Sequence, residues 1–93
     1  MDGIFRALGD PVRLTVVSEL GHRNDQTLFE LCMRLINLGH SLSRQAVAKH
    51  ITVLREAGLV QVSTSGRTTI HHLDADALIQ AEAWVADRIK ELS

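Results

Sequence analysis

A run of small, polar and basic residues between positions 43 and 52 is the part of this 93-residue chain best suited to chemistry. When residues 44–56 are projected onto a helix at about 100° per residue, one side collects hydrogen-bond donors and small side chains. These are Arg44, Gln45, Ala48, Lys49 and Thr52. In the major groove, arginine pairs with guanine, glutamine pairs with adenine, and alanine or threonine methyl groups meet the thymine methyl. The set therefore suits base recognition, whereas Lys49 is better suited to a phosphate.

Three more residues extend this candidate DNA surface. Ser43 is predicted to cap the helix, which directs nearby backbone N–H groups and the positive end of the helix dipole at an anion. Arg67 lies beside a predicted turn, in a position to contact a phosphate or the minor groove. His50 lies on the border of the polar side, where it either contacts the DNA backbone or packs within the protein. The alternative explanation for the whole stripe is a solvated helix face.

The charge distribution sets this segment apart from the rest of the chain. The net charge is −1 and the pI is about 6.5, which by themselves argue against a nucleic-acid partner. Residues 44–67 nevertheless carry +3, whereas residues 74–93 carry −3 and residues 1–43 carry −1. Because local charge decides where a polyanion docks, the basic segment is the predicted DNA surface, and we expect the acidic last segment to lie away from it.

Capping signals predict the helices that must position these residues. Asp10-Pro11 begins one helix and Gly21 ends it, with a polar loop over residues 22–26. The predicted buried face of that helix comprises Leu14, Val17 and Leu20. Thr27 and Glu30 form a capping box that opens the next helix. Its apolar stripe comprises Leu28, Leu31, Cys32, Leu35 and Ile36.

The second half of the chain changes from helical to strand periodicity. The helix opened by Ser43 ends at Gly58, and its core side comprises Val47, Ile51 and Leu54. Residues 59–64 and 68–73 are rich in β-branched side chains and flank Ser65-Gly66, which predicts a β-hairpin. Asp74 then caps a last helix. The apolar line of that helix comprises Leu78, Ala81, Val85, Ile89 and Leu92.

These elements, with a short helix over residues 3–8, give the order α-α-α-α-β-β-α. The predicted fold class is mainly α (α+β), a winged helix-turn-helix that forms one domain over residues 1–93. A TIM barrel is excluded, because it needs about 250 residues. The sequence also contains no Gly-rich phosphate loop and no nucleophile elbow, so an enzyme is not predicted.

Two stretches of the sequence resemble a known family. Residues 5–14 read FRALGDPVRL and residues 42–60 read LSRQAVAKHITVLREAGLV. The first is similar to the opening of the ArsR-type winged-helix repressors, and the second resembles their recognition helix and the entry to the wing. The resemblance covers almost the whole chain. It implies a homodimeric repressor that binds operator DNA. In such a dimer the first and last helices form the interface.

The candidate dimer interface follows from that implied architecture. Its residues are Ile4, Phe5 and Leu8 from the first helix, with Leu78, Trp84, Val85 and Ile89 from the last. The alternative for each is ordinary core packing within one chain. Trp84 is the strongest candidate, because a large ring on a short terminal helix needs a partner surface.

Metal sensing, which occurs in this family, is not predicted for this chain. The resemblance to the arsenic-sensing box stops at Cys32, because a second thiolate is needed where Arg34 stands, and one thiolate does not hold a soft metalloid ion. The zinc-sensing variant uses histidine on the last helix, which has none here. His71 and His72 are neighbours on a strand and point to opposite faces. No cofactor is predicted, and the sequence does not identify a small-molecule or metal effector.

Three features of the sequence bear on where the protein is located. Cys32 has no disulfide partner, no run approaches 18 apolar residues, and the chain opens without a basic signal region, so a cytoplasmic protein with no membrane contact is expected. Two alternatives to the DNA-binding regulator stay open. One is a winged-helix module that binds another protein, and the other is a thiol or metal switch acting through Cys32.

Overall fold

The computed structural model describes residues 2–93, which form five helices and a small antiparallel sheet. The elements are α1 (Asp2–Leu8), α2 (Pro11–His22), β1 (Gln26–Thr27), α3 (Leu28–Asn37), α4 (Arg44–Glu56), β2 (Val60–Ser65), β3 (Thr68–Leu73) and α5 (Ala75–Glu91). The strand order is β1-β3-β2. The predicted fold and order of elements are confirmed, and β1 is an addition that the sequence pattern did not predict. Within residues 2–93, no helix is both long and apolar enough to cross a membrane.

All four predicted N-caps are present. Asp10 accepts hydrogen bonds from the backbone N–H groups of residues 12 and 13. Thr27 and Glu30 form the reciprocal capping box, at 3.1 and 3.0 Å. The Ser43 hydroxyl accepts from the N–H of residue 46 at 3.1 Å, and Asp74 accepts from that of residue 76 at 2.9 Å. These bonds fix the first residue of each helix, because they satisfy N–H groups that have no partner within the helix.

The hairpin between β2 and β3 turns on a two-residue loop. Ser65 pairs with Thr68, so the loop consists of Gly66 and Arg67, one position later than the sequence pattern indicated. Gly66 has φ +62°, the left-handed conformation that such tight hairpin loops require and that glycine adopts without strain. Arg67 therefore lies at the tip of the wing formed by β2 and β3.

The core confirms the predicted buried side of α4 and corrects two other faces. Val47, Ile51 and Leu54 are all buried. On α2, however, Leu14 is 54% exposed and Val16 takes its place in the core. Ile36, at the edge of the α3 stripe, is 52% exposed. Apolar residues lie around much of α2, so periodicity alone could not select the face that packs.

The segment after α2 also differs from its predicted loop. Helix α2 continues past Gly21 to His22, and Gln26 is fully buried in β1, paired with His71. The Gln26 amide Nε2 donates to the carbonyl oxygens of Glu19 and Arg23, at 3.1 and 2.6 Å. The Glu19 carbonyl also accepts from the Arg23 N–H, and Arg23 is the C-cap of α2, so one buried amide links the end of the helix to the sheet.

Replacing Gln26 tests this link. Gln26→Ala removes both hydrogen bonds and leaves the Arg23 carbonyl without its side-chain donor, so we expect the free energy of unfolding to fall by roughly 1–3 kcal/mol. Urea unfolding followed by circular dichroism measures the change. The matched control is Gln61→Ala, because Gln61 is exposed and the one hydrogen bond of its side chain, to the Asp74 carboxylate, is open to solvent. Equal losses in the two variants would contradict a special role for Gln26.

Candidate nucleic-acid interface

The front of α4 presents the residues predicted to read DNA. Arg44, Gln45, Lys49 and Thr52 are exposed, and Ala48 is half-buried between them. The rotation of the helix is set from behind, since three of its four large apolar side chains, Val47, Ile51 and Leu54, are in the core. The Thr52 hydroxyl donates to the Ala48 carbonyl within the helix at 3.1 Å, so its hydrogen is already used inside the protein. The predicted grouping of these side chains is thus present, and their contacts with bases stay a prediction.

His50 lies behind this front, against the junction of α1 and α2. The Arg13 guanidinium donates to the carbonyl oxygens of Ala7 and Arg6, at 2.6 and 3.3 Å, and lies 3.3 Å from His50 Nδ1. The Asp10 carboxylate is 3.9 Å from the same nitrogen. Of the two roles open to His50, these contacts favour packing, in which it braces α4 against the start of α2.

A groove joins α4 to the wing. Its volume is about 470 Å³. Its lining residues are Thr27, Leu28, Phe29, Arg44, Arg67, Thr68, Thr69 and His71. The two arginines are far apart in the sequence, and the groove brings them to one surface. Sequence reasoning selected both arginines but missed the threonines, Phe29 and the buried histidine, because only the pairing of β1 with β3 brings these residues beside α4.

His71 is the buried titratable group of this surface. It is 6% exposed, and its Nδ1 lies 3.0 Å from the carbonyl oxygen of Gln26. Burial lowers the pKa of His71 below its ordinary value, although the hydrogen bond to Gln26 opposes this change. His72 points to the other face, where its Nδ1 is 3.4 Å from the Asp25 carboxylate. The predicted separation of the two histidines is confirmed.

The candidate dimer residues divide between core and surface. Ile4 is buried in the core of its own chain, and Phe5, Leu8 and Leu78 are partly buried against that core. Trp84, Val85 and Ile89 are exposed on α5. The Trp84 ring meets Phe5 edge to face, with ring centroids 5.2 Å apart, and the Arg88 guanidinium covers it at 4.7 Å. The residues of α5 that are buried within its own chain are Ala77 and Ala81.

Cys32 lies in a setting that does not fit a metalloid site. The side chain is half-buried against the core, and burial raises the pKa of its thiol, with the charge of Arg44 acting in the opposite direction. Arg34, at the position of the missing second thiolate, donates to Glu19 at 3.0 Å. Across residues 2–93, no three His, Cys, Asp or Glu side chains are grouped closely enough to hold a metal ion.

Comparison with known proteins settles the family. No family model matches the chain. The HTH-type transcriptional regulator YuzN of Bacillus subtilis is 49% identical over 67 residues, which are 71% of this chain and 73% of that protein. An ArsR-like transcriptional regulator from Rhodococcus sp. RHA1 is 33% identical, with a TM-score of 0.78 over 97% of this chain and 78% of that one. The chain belongs to the ArsR family of transcriptional regulators.

A further solved structure agrees with this assignment. The ArsR family transcriptional regulator RHA00566 superposes with a TM-score of 0.83 at 27% identity, over 98% of this chain and 88% of that one. The resemblance inferred from residues 5–14 and 42–60 is therefore confirmed, as is the winged helix-turn-helix fold. What this ArsR-family chain binds depends on its own surface residues.

The burial of His71 predicts how stability depends on pH. An unfolded histidine binds a proton with a pKa of about 6.5, whereas folded His71 does so only at lower pH. The unfolded state therefore binds more protons as the pH falls below about 6.5, and the free energy of unfolding declines until the pH reaches the lowered pKa. Glu19, Asp10 and Glu30 also have lowered pKa values, but carboxylates lose their contribution only at more acidic pH.

We expect His71→Asn to lack this part of the decline. The side-chain amide of the introduced asparagine can still donate to the Gln26 carbonyl but does not titrate. Urea unfolding of both proteins at several pH values between 7.5 and 5.0 measures the difference, and His72→Asn serves as the control from the opposite face. Parallel pH profiles for the wild type and His71→Asn would contradict the assignment.

Proposed function

We propose that this ArsR-family chain is a sequence-specific, homodimeric repressor that binds operator DNA. The observation that carries the proposal is the front of α4, where exposed donors stand opposite three buried apolar anchors. A helix held in this way can enter the major groove with its side chains already oriented. The surface is also the basic part of the chain, in contrast to the acidic α5.

Each residue of the interface has a separate proposed task. Arg44 and Gln45, in the first turn of α4, read base edges, with Ala48 and Thr52 offering methyl contacts. Ser43 and Lys49 hold the phosphate backbone, which sets the register without reading sequence. Arg67, at the tip of the wing, contacts a phosphate or the adjacent minor groove. His50 supports α4 from behind through Arg13.

The proposed dimer joins α1 and α5 of two chains. Trp84, Val85 and Ile89 are large apolar side chains exposed on α5, and exposed apolar surface favours association with a partner. Two recognition helices related by a two-fold axis would meet half-sites about one helical turn, roughly 34 Å, apart. We place the protein in the cytoplasm, where a free thiol such as Cys32 stays reduced.

Base recognition is tested on α4. Arg44→Ala is expected to cost about 1–3 kcal/mol of binding and to relax the preference for one base, because a bidentate guanine contact is lost. Lys49→Ala is expected to weaken binding to all sequences and to reduce the slope of log affinity against log salt by about 1. Fluorescence anisotropy with duplexes selected from genomic fragments, at several salt concentrations, measures both effects.

The control for this series is Lys90→Ala, which removes an exposed lysine from the acidic helix α5. It should leave both affinity and salt dependence unchanged. No salt-sensitive, sequence-selective complex with any genomic fragment, including the gene's own promoter region, would overturn the proposed function.

The dimer is tested by placing a charge on its proposed surface. Ile89→Glu buries a carboxylate in an apolar contact, so we expect the dimer dissociation constant to rise at least about tenfold. Sedimentation equilibrium measures the constant. The matched control is Ile36→Glu, since Ile36 is exposed to a similar extent, 52% against 61%, but lies on α3. A dimer equally weakened by both substitutions, or by neither, would contradict the α1–α5 interface.

A further inference from the structure

The groove between α4, the first turn of α3 and the wing combines two arginines assigned to DNA with groups that DNA reading by α4 does not use. Arg44 and Arg67 supply two cations from opposite sides, and no acidic residue is among its described lining residues. Thr27, Thr68 and Thr69 add hydroxyl groups. The start of α3 also borders the groove, and the first N–H groups of a helix have no partner within it. This chemistry favours an oxyanion.

His71 gives the groove a second and more selective property. The Gln26 carbonyl can only accept, so His71 Nδ1 must carry the proton of the hydrogen bond between them. A neutral imidazole has one N–H, which leaves Nε2 as an acceptor with a free lone pair. Across residues 2–93, no side-chain or backbone donor bonds to Nε2, which keeps some contact with solvent, because the one fully enclosed side-chain polar atom without a partner is Gln26 Oε1. A ligand that fills the groove must therefore bring a donor of its own.

These two properties together distinguish between classes of anion. A phosphodiester of the DNA backbone offers oxygens to the arginines but has no O–H for His71 Nε2. A hydroxycarboxylate, or inorganic phosphate with its remaining proton, offers both. The exposed ring of Phe29 and the side chain of Leu28 form an apolar wall beside the charged groups, and the volume of about 470 Å³ lies in the range of small-molecule sites.

We propose that this groove is an effector site for a small oxyanion that carries its own hydrogen-bond donor, of the hydroxycarboxylate or hydrogen-phosphate class. The anion bridges Arg44 and Arg67 and donates to His71 Nε2. Because the same arginines are assigned to DNA, the bound anion competes with the operator. That competition rests on the proposed function, whereas the binding site itself does not.

Paired probes of equal charge test the role of the donor. Glycolate has a carboxylate and a hydroxyl group, whereas methoxyacetate has the same carboxylate and no donor. Inorganic phosphate and dimethyl phosphate form a second pair, compared at mildly acidic pH where inorganic phosphate is mainly the monoanion, and the diester imitates the DNA backbone. Titrations of the isotope-labelled chain are followed by NMR at the amides of Thr69 and His71 and at the arginine side chains.

The expected result is saturable shifts confined to the groove, with about tenfold weaker binding of methoxyacetate than of glycolate. Equal affinity for the donor-free probes would show that the groove takes the DNA backbone and would overturn the proposal. Shifts that spread over all basic residues without saturation would also overturn it, because they indicate an adventitious ion only.

Substitutions separate the donor from the charge. His71→Asn keeps a donor for Gln26 but lacks Nε2, so it should bind glycolate and methoxyacetate equally, whereas His72→Asn should discriminate between them as the wild type does. If His71→Asn fails to fold, Arg67→Gln at the exposed wing tip provides a second test, since it should weaken both carboxylates about equally. Unchanged binding in Arg67→Gln would contradict the site.

The last experiment separates this proposal from the proposed function. Anisotropy of an operator duplex is measured with increasing glycolate in phosphate-free buffer. If glycolate dissociates the protein–DNA complex and the same concentration of methoxyacetate does not, the result supports the effector site. A DNA complex that glycolate does not affect would overturn the effector role and leave the DNA-binding function intact. Groove shifts without any DNA complex would keep the site and overturn the DNA-binding function.

Discussion

The contact between the inner side of α4 and the core is the constraint on which the outer surface depends. Val47, Ile51 and Leu54 are buried together, and their spacing leaves one rotation of the helix that buries all three. A shift of one residue would turn the helix by about 100° and carry its donors away from the front. The Ser43 cap fixes where the helix starts, and Arg13 braces it through His50. Packing in the core therefore determines which side chains of α4 face outward.

The pairing of β1 with β3 is the second constraint, and it organises the surface around the wing. Two residues of β1 suffice, because Gln26 is tied to the end of α2 by its side chain and to His71 by its backbone carbonyl. This holds the wing beside the start of α3 and α4. The groove that contains Arg44 and Arg67 results from that placement. The same pairing buries His71 and determines which of its nitrogens stays free.

Helix α5 reverses the usual distribution of side-chain size. Its small residues Ala77 and Ala81 are buried against its own chain beside the partly buried Leu78, whereas the larger Val85 and Ile89 are exposed. Small side chains allow α5 to lie close to the core, while the large ones gain little burial within one subunit. The edge contact between Trp84 and Phe5 joins α5 to α1, so the two helices proposed for the dimer already form one surface in each chain.

Local signals in the sequence determined the helix starts, the buried side of α4, the hairpin and, through two recognisable stretches, the family. Each of these depends on residues within a few positions of one another, such as Asp10 with Val12 or Thr27 with Glu30. Other features had no local signal. Apolar residues lie around much of α2, so only the neighbouring elements could decide that Val16 and not Leu14 is buried. The burial of Gln26, the bracing of His50 and the groove joining Arg44 to Arg67 needed the tertiary structure, because each is a contact between residues on different elements of the fold.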